Sequence, residues 1–290
     1  MAIFNYEEFT TRNIGFVTKD EQGKLRDAKI FIAGTGGMGG AAIANLARCG
    51  VGEFIFADID TFEVSNLNRQ IFANLDTIGT EKAEATKEGL LKINPNIKLT
   101  IYGKEWTDKI DEILPKVDLA INGCDDVRAT LLLMRKAKEH NKIVIDAFAS
   151  TLPSVYVIKP QDPRPEVTFK YPSVNREISS LSDVEVSLIV QKEVEYVMTN
   201  STTANHVVME AAIEMVSGTR SRFSFAPMVL MTGCLMCYEA VKIILNKKTS
   251  ADYKGIFINP WTYKVERPLN PIFAFIKGLL VRNFLKRMMK

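Results

Sequence analysis

The sequence predicts an α/β protein, a Rossmann-like and mostly parallel sheet flanked by helices that continues into a mixed C-terminal substrate-side half. Three observations carry that prediction. Apolar runs of strand length alternate with helix-prone segments from residue 29 to 158. The first run, Lys29-Ile30-Phe31-Ile32-Ala33, opens directly into Gly34-Thr35-Gly36-Gly37-Met38-Gly39-Gly40. The second, Glu53-Phe54-Ile55-Phe56-Ala57, ends on Asp58 and Asp60.

The glycine loop is the first element with chemistry in it. A strand-glycine-helix turn lets backbone approach a phosphate closely and aims the free N–H groups of a helix N-terminus at the anion. Gly34, Gly36, Gly37 and Gly39 are the candidate cradle, and the helix-prone Ala41–Ala47 follows them. Asp58 then stands where a carboxylate accepts ribose hydroxyls at the tip of the second strand. A dinucleotide site needs no more than this. It leaves Ser65-Asn66-Leu67-Asn68-Arg69-Gln70, Lys82 and Asp125-Asp126 without a role.

Those residues fit attack on a phosphate. Displacement at the α-phosphate of ATP builds charge on non-bridging oxygens and on the departing pyrophosphate, which fixed cations and a metal ion stabilise. Arg69 and Lys82 are suitable cations. Asp125 is a suitable Mg²⁺ ligand, because that ion takes one or two carboxylates plus phosphate oxygens. The run Val117–Ile121 reads as a parallel strand and delivers Asp125 to its carboxyl end, where open α/β sheets bind ligands.

The order Gly-x-Gly-Gly-x-Gly, Asp-x-Asp, Ser-Asn-Leu-x-Arg-Gln, Lys, Asp resembles the ubiquitin-activating-enzyme-like superfamily, the MoeB/ThiF/HesA-type adenylyltransferases. Thr11-Arg12-Asn13-Ile14 is similar to an Asn-Arg-Gln-Ile segment of that group. The match is nearly continuous from Arg12 to about Asp126 and resumes over 233–242 and 256–267; residues 160–225 match poorly. The resemblance implies a homodimer using ATP and Mg²⁺ to adenylate a carboxylate. In its best-known members that carboxylate is the C-terminus of a small ubiquitin-like sulfur carrier. It implies Arg12 as an arginine finger into the partner's triphosphate, Asp58 on the ribose, Asn66, Arg69 and Gln70 along the phosphates, Lys82 near the transferred bond and Asp125 on the metal. Asp60 and Asp126 are added to the nucleotide-binding set.

Three departures bear on function. Asp126 replaces the Asn usual after the metal-binding Asp, so it is expected to line the floor of the site, with Arg128 the candidate to neutralise it. The two CxxC pairs that bind structural zinc in MoeB and ThiF are missing, and no zinc is expected. No cysteine lies between Cys124 and Cys234, so the usual loop carries no thiol. The acyl-adenylate would then pass to an external nucleophile or be trapped internally. Activation of a small or tRNA-borne carboxylate, as in the related threonylcarbamoyladenosine dehydratases, is the alternative, together with peptide tailoring. A scaffold subunit that only keeps the fold is the non-enzymatic alternative, opposed by retention of Arg12, Arg69, Lys82 and Asp125.

Composition bounds the rest. At 290 residues the chain is long enough to bury about three quarters of its unfolded surface. Hydrophobic content of 47% and charged content of 24% are ordinary for a globular enzyme. Net charge +3 gives no support to nucleic acid as a partner. Four cysteines and no signal-type N-terminus point to the cytoplasm. Cys234 and Cys237 fall in the apolar run 223–238 and read as buried structural thiols of a core helix. His140 and His206 lack ligand partners at metal spacing. We divide the chain, as one domain, into an arm (1–28), a nucleotide-binding half (29–158), a substrate-side half (159–270) and a basic apolar tail (271–290). Residues 181–197 and 204–216 read as helices. The tail, with Lys277, Arg282, Lys286, Arg287 and Lys290, is expected to pack on a partner, with membrane contact the lesser reading.

Overall fold

The computed structural model describes residues 4–148, 150–216, 219–221 and 223–288. An N-terminal arm of α1 (Tyr6–Thr10) and α2 (Lys19–Asp27) precedes the sheet. Thr18 starts α2 with a reciprocal capping box: its side chain accepts from Glu21 N, and Glu21 accepts from Thr18 N. Then come β1 (Lys29–Ala33), α3 (Gly37–Arg48), β2 (Glu53–Ala57), α4 (Lys82–Ile93), β3 (Lys98–Tyr102), α5 (Trp106–Ile113), β4 (Leu119–Asn122), α6 (Val127–Glu139) and β5 (Ile143–Asp146). The remainder is β6 (Ser154–Ile158), α7 (Pro165–Thr168), α8 (Asp183–Asn200), α9 (Met209–Val216), α10 (Ala226–Ile244), β7 (Ile256–Asn259), β8 (Lys264–Glu266) and α11 (Pro271–Met288).

The strands form one sheet in the order β3-β2-β1-β4-β5-β6-β7-β8. β1 to β5 are parallel, and the strand order reverses between β1 and β4. Ligands bind outside the carboxyl ends of the strands at such a switch point. Alternation along β1 splits the core: Phe31 and Ala33 pack on one face with Trp106 and Leu133, while Ile30 and Ile32 pack on the other with Ile43 and Leu46. Both faces are covered, as near-continuous apolar runs require.

Strand-helix alternation through residue 158 led us to expect a parallel sheet to that point. The structure corrects this at its end. β6 runs antiparallel to β5, with Ile145 opposite Val157. β5 ends at Asp146 and β6 starts at Ser154, too short a link for a parallel return, which would need a dozen or more residues. From there β7 and β8 continue antiparallel.

The apolar run at 223–238 becomes the 19-residue α10, which among the described residues is long and apolar enough to cross a membrane. It packs instead along α3. Gly233 permits that approach, since a Cβ there would strike Ala41. Cys237 is buried in this seam, but its partner is not Cys234. Its Sγ lies 3.9 Å from Cys49 Sγ at the end of α3, and Cys234 receives a hydrogen bond from Asn45.

The segment that sequence could not place is tied down by a buried ion pair. Glu166, 1% exposed, accepts from Arg135 of α6 at 2.7 and 3.1 Å and pairs with Arg164 at 2.7 Å. The helices expected over 181–197 and 204–216 are α8 and the shorter α9. A 3₁₀ turn at Thr203–His206 separates them.

Candidate functional site

The site is built where β1 and β4 lie side by side. Gly34 follows β1 with φ +87°, and a Cβ on it would sit 2.6 Å from the backbone of Gly123, just past β4. Two strand ends therefore meet backbone to backbone, and the loop has no room for side chains. α3 begins at Gly37 and points its N-terminus into this corner. Gly40 N already donates to Gly36 O, so the free N–H groups of the first turn belong to the residues before it.

Asp58 joins this loop to the tip of β2. Its Oδ2 accepts from Thr35 N at 2.7 Å and from Thr35 Oγ1 at 3.2 Å, and its Oδ1 accepts from Asp60 N at 3.0 Å. Asp60 pairs with the Nζ of Lys82 at 2.9 Å. Lys82 is buried and opens α4, while the carboxylate that holds it stays open to solvent. The two predicted residues thus form a unit: Asp60 positions the cation.

The Ser65-to-Gln70 segment folds as consecutive tight turns. Asn66 is buried, and its Oδ1 accepts from Glu63 N at 3.1 Å. Gln70 is buried beside the loop, 3.5 Å from where a Cβ of Gly36 would stand, and its Oε1 has no hydrogen-bond partner. Rotation of that amide presents an N–H donor in its place. Arg69 is half-buried, its Nη1 donating to Ser65 O and Asn68 Oδ1, both at 2.9 Å.

Asp125 stands exposed past Gly123 and Cys124. No group of three or more His, Cys, Asp or Glu able to hold a metal occurs among the described residues. A single exposed carboxylate beside a phosphate cradle still suits Mg²⁺, which draws its other ligands from phosphate and water.

Asp126 departs from expectation. Its side chain accepts from Ala129 N at 2.6 Å as the N-cap of α6, which turns it toward its own helix. Arg128 does not neutralise it: that guanidinium donates to Asp183 Oδ1 and Leu181 O, both at 3.0 Å. A helix starting at Val127 makes the preceding residue a cap, a role open equally to Asp and Asn.

Cys124 is half-buried, and desolvation pushes its thiol up to about 12. It donates to Asn122 Oδ1 at 3.0 Å. Such a thiol stays protonated at neutral pH and is a poor nucleophile.

Arg12 is not brought to this corner. It lies exposed in the 3₁₀ turn Thr11–Asn13, which is fastened to the far end of α3. Asn13 and Gln22 both donate to Cys49 O, and Tyr6 donates to Gly50 O.

Sequence reading missed a cavity of about 280 Å³ that begins at Met38, Gly123 and Asp125 and runs beneath α8, α9 and α10. Its lining is mostly aliphatic, and Asp146 reaches it from the end of β5. The signal available was an aspartate closing a buried parallel strand next to the strand that ends near Asp125.

The basic apolar tail forms a helix. α11 packs on α8, with Lys277 donating to Ser201 O and Arg282 pairing with Glu195. Ile272, Phe273, Ile276 and Leu280 face outward. Lys290 lies outside the described residues.

Comparison with known proteins agrees with this geometry. The model of the ThiF family matches residues 10–270. The molybdopterin-synthase adenylyltransferase of Haemophilus influenzae is 29% identical over 254 residues, covering 85% of this chain and 88% of that protein. An adenylyltransferase and sulfurtransferase UBA4, from Lodderomyces elongisporus, is 37% identical over 120 residues, which span 41% of this chain but only 26% of that protein. Among solved structures, Escherichia coli MccB with ATP superposes with a TM-score of 0.61 at 20% identity, over 87% of this chain and 67% of that one. At that identity the likeness speaks for the fold.

Proposed function

The chain belongs to the ThiF family and is an adenylyltransferase, and from that premise we propose that it activates the terminal carboxylate of a small carrier protein or peptide with ATP and Mg²⁺. In this reaction a carboxylate oxygen attacks the α-phosphorus of ATP. The bond from that phosphorus to the bridging oxygen breaks, its electron pair leaves on pyrophosphate, and an acyl-adenylate remains.

Each residue has a physical task in that step. The N-terminus of α3 receives the phosphates through unpaired N–H groups. Asp58 exchanges its contact with Thr35 for the ribose hydroxyls. Arg69, Gln70 and Lys82 offer donors to the oxygens on which charge accumulates, and removing one such donor costs roughly 10²–10³ in rate. Asp125 would hold Mg²⁺, which when bound neutralises charge on the phosphates. Arg12 of one subunit serves the triphosphate of the other in a symmetric dimer.

The observation that carries the reading is the meeting of Gly34 and Gly123 at the switch point, ringed by Asp58, Lys82 and Asp125. The raised thiol of Cys124 supports transfer of the adenylate to a nucleophile outside this chain. Calorimetric titration should give Mg-ATP binding that weakens in Asp125→Ala, and pyrophosphate exchange should depend on the carboxylate partner. Tight NADH binding without ATP binding would overturn the assignment.

A further inference from the structure

Several polar groups of the cavity pair with one another, while one buried oxygen does not. Ser150 Oγ and Thr203 Oγ1 share a hydrogen bond at 2.9 Å, Thr151 donates to Thr203 O at 3.0 Å, and Tyr171 donates to Glu193 Oε1 at 2.9 Å. Asp146 is 2% exposed. Its Oδ1 accepts from Ala147 N at 2.7 Å and from Asn122 Nδ2 at 3.1 Å. Its Oδ2 has no partner.

A buried carboxylate oxygen left without a partner is costly, so native structures seldom keep one without a use. Burial raises this carboxyl to about 7, against the pull of its two N–H donors. A ligand donor at Oδ2 would relieve that cost.

The partnerless oxygen of Asp146 sets the chemistry of the ligand. Asp125, Asp146 and Glu193 line it. The one basic residue among its described lining, Arg220, already pairs with Glu214 at 3.3 Å. The remaining walls, Val127, Leu131, Ile189, Val194 and Met198 among them, are apolar. A buried carboxylate oxygen inside apolar walls favours a ligand that brings an N–H donor.

We propose that this cavity is the specificity pocket for the residue bearing the activated carboxylate, and that Asp146 selects a residue carrying a cationic or N–H-donating nitrogen on an apolar frame. The assignment rests on the adenylation reading for the direction of binding: carboxylate at the nucleotide corner, nitrogen at Asp146. β4 and β5 are adjacent and parallel, so their carboxyl ends bring Asp125 and Asp146 to one edge of the sheet, where both line this cavity. The volume is close to the lower bound of ordinary ligand pockets, about 300 Å³, and suits one residue better than a longer segment.

The test uses the whole chain without nucleotide, so that failure of the pocket and failure of the ATP site are read separately. Isoamylamine and isobutyl methyl ketone are probes of similar apolar shape. One presents an ammonium and the other only an acceptor. Calorimetry should show the amine binding about tenfold or more tightly than the ketone, and Asp146→Asn should abolish that preference while Mg-ATP binding persists. Equal binding of the two probes by the unaltered protein, or a preference for the ketone, would overturn the proposal even if the variant fails to fold. An amine preference that survives in folded Asp146→Asn would overturn it as well.

Discussion

The Nδ2 of Asn13 donates to the carbonyl of Cys49 at 3.3 Å and so pins the turn carrying Arg12 to the C-terminal end of α3, whereas the phosphate cradle lies at the N-terminal end of that helix. Twelve residues of α-helix separate the two ends by about 18 Å. Arg12 therefore belongs to a different surface from the nucleotide corner of its own chain, and a partner subunit is the arrangement in which it could serve.

Mixing provides the check. Arg12→Ala and Asp125→Ala homodimers should each lack pyrophosphate exchange. Their mixed dimer should regain one of its two sites, the one combining an intact Asp125 with the other subunit's intact Arg12. An active monomer by light scattering would refute the shared site.

The two neighbouring carboxylates should separate cleanly. Asp125→Asn should lose turnover by roughly 10² or more. Asp126→Asn should retain at least a tenth, since Asn caps a helix as well as Asp, whereas Asp126→Ala should cost about 1 kcal/mol of stability. Kinetics across a magnesium series, with urea melts alongside, measure both; the reverse ranking would place the metal on Asp126.

Cys124→Ser should keep exchange with the cognate carboxylate, because a thiol held up at about 12 contributes no thiolate to lose. Abolished turnover in a folded Cys124→Ser protein would make that sulfur a participant.

Asp146 should also leave a signature in stability. Its folded value near 7 lies above the ordinary carboxylate range, so between about pH 4 and pH 7 the folded state holds a proton that the unfolded chain has released. Stability from this group is fully present below pH 4 and declines as pH rises to about 7. Asp146→Asn removes that decline. Its melting temperature should exceed that of the parent at pH 8 by more than at pH 5, and an equal difference at both values would contradict the burial argument.

Much of this protein was legible as sequence because its signals are local. β1 and β2 fall where the apolar runs lie, since a strand buried on both faces needs an uninterrupted apolar stretch. The glycine loop, Asp58 and Asp125 follow β1, β2 and β4, so the apolar runs before them were enough to expect them at the carboxyl edge of the sheet. The Lys82–Asp60 pair, by contrast, was seen only in the structure.

What sequence could not decide depended on segments meeting from far apart. The reversal of β6 reflects the length of the link behind it and the antiparallel strands that extend the sheet. Asp126 reads as a second carboxylate in the site until α6 is seen to begin one residue later and claim it as a cap. The cysteine pairing crosses two helices that only packing brings together, so Cys237 faces Cys49 and not its neighbour in a CxxC spacing. The cavity, likewise, takes its walls from β4, β5, α6, α8, α9 and α10, and the isolation of Asp146 Oδ2 exists only once they enclose it. A hydrogen-bonding vacancy is a property of what surrounds an atom, which no stretch of sequence contains.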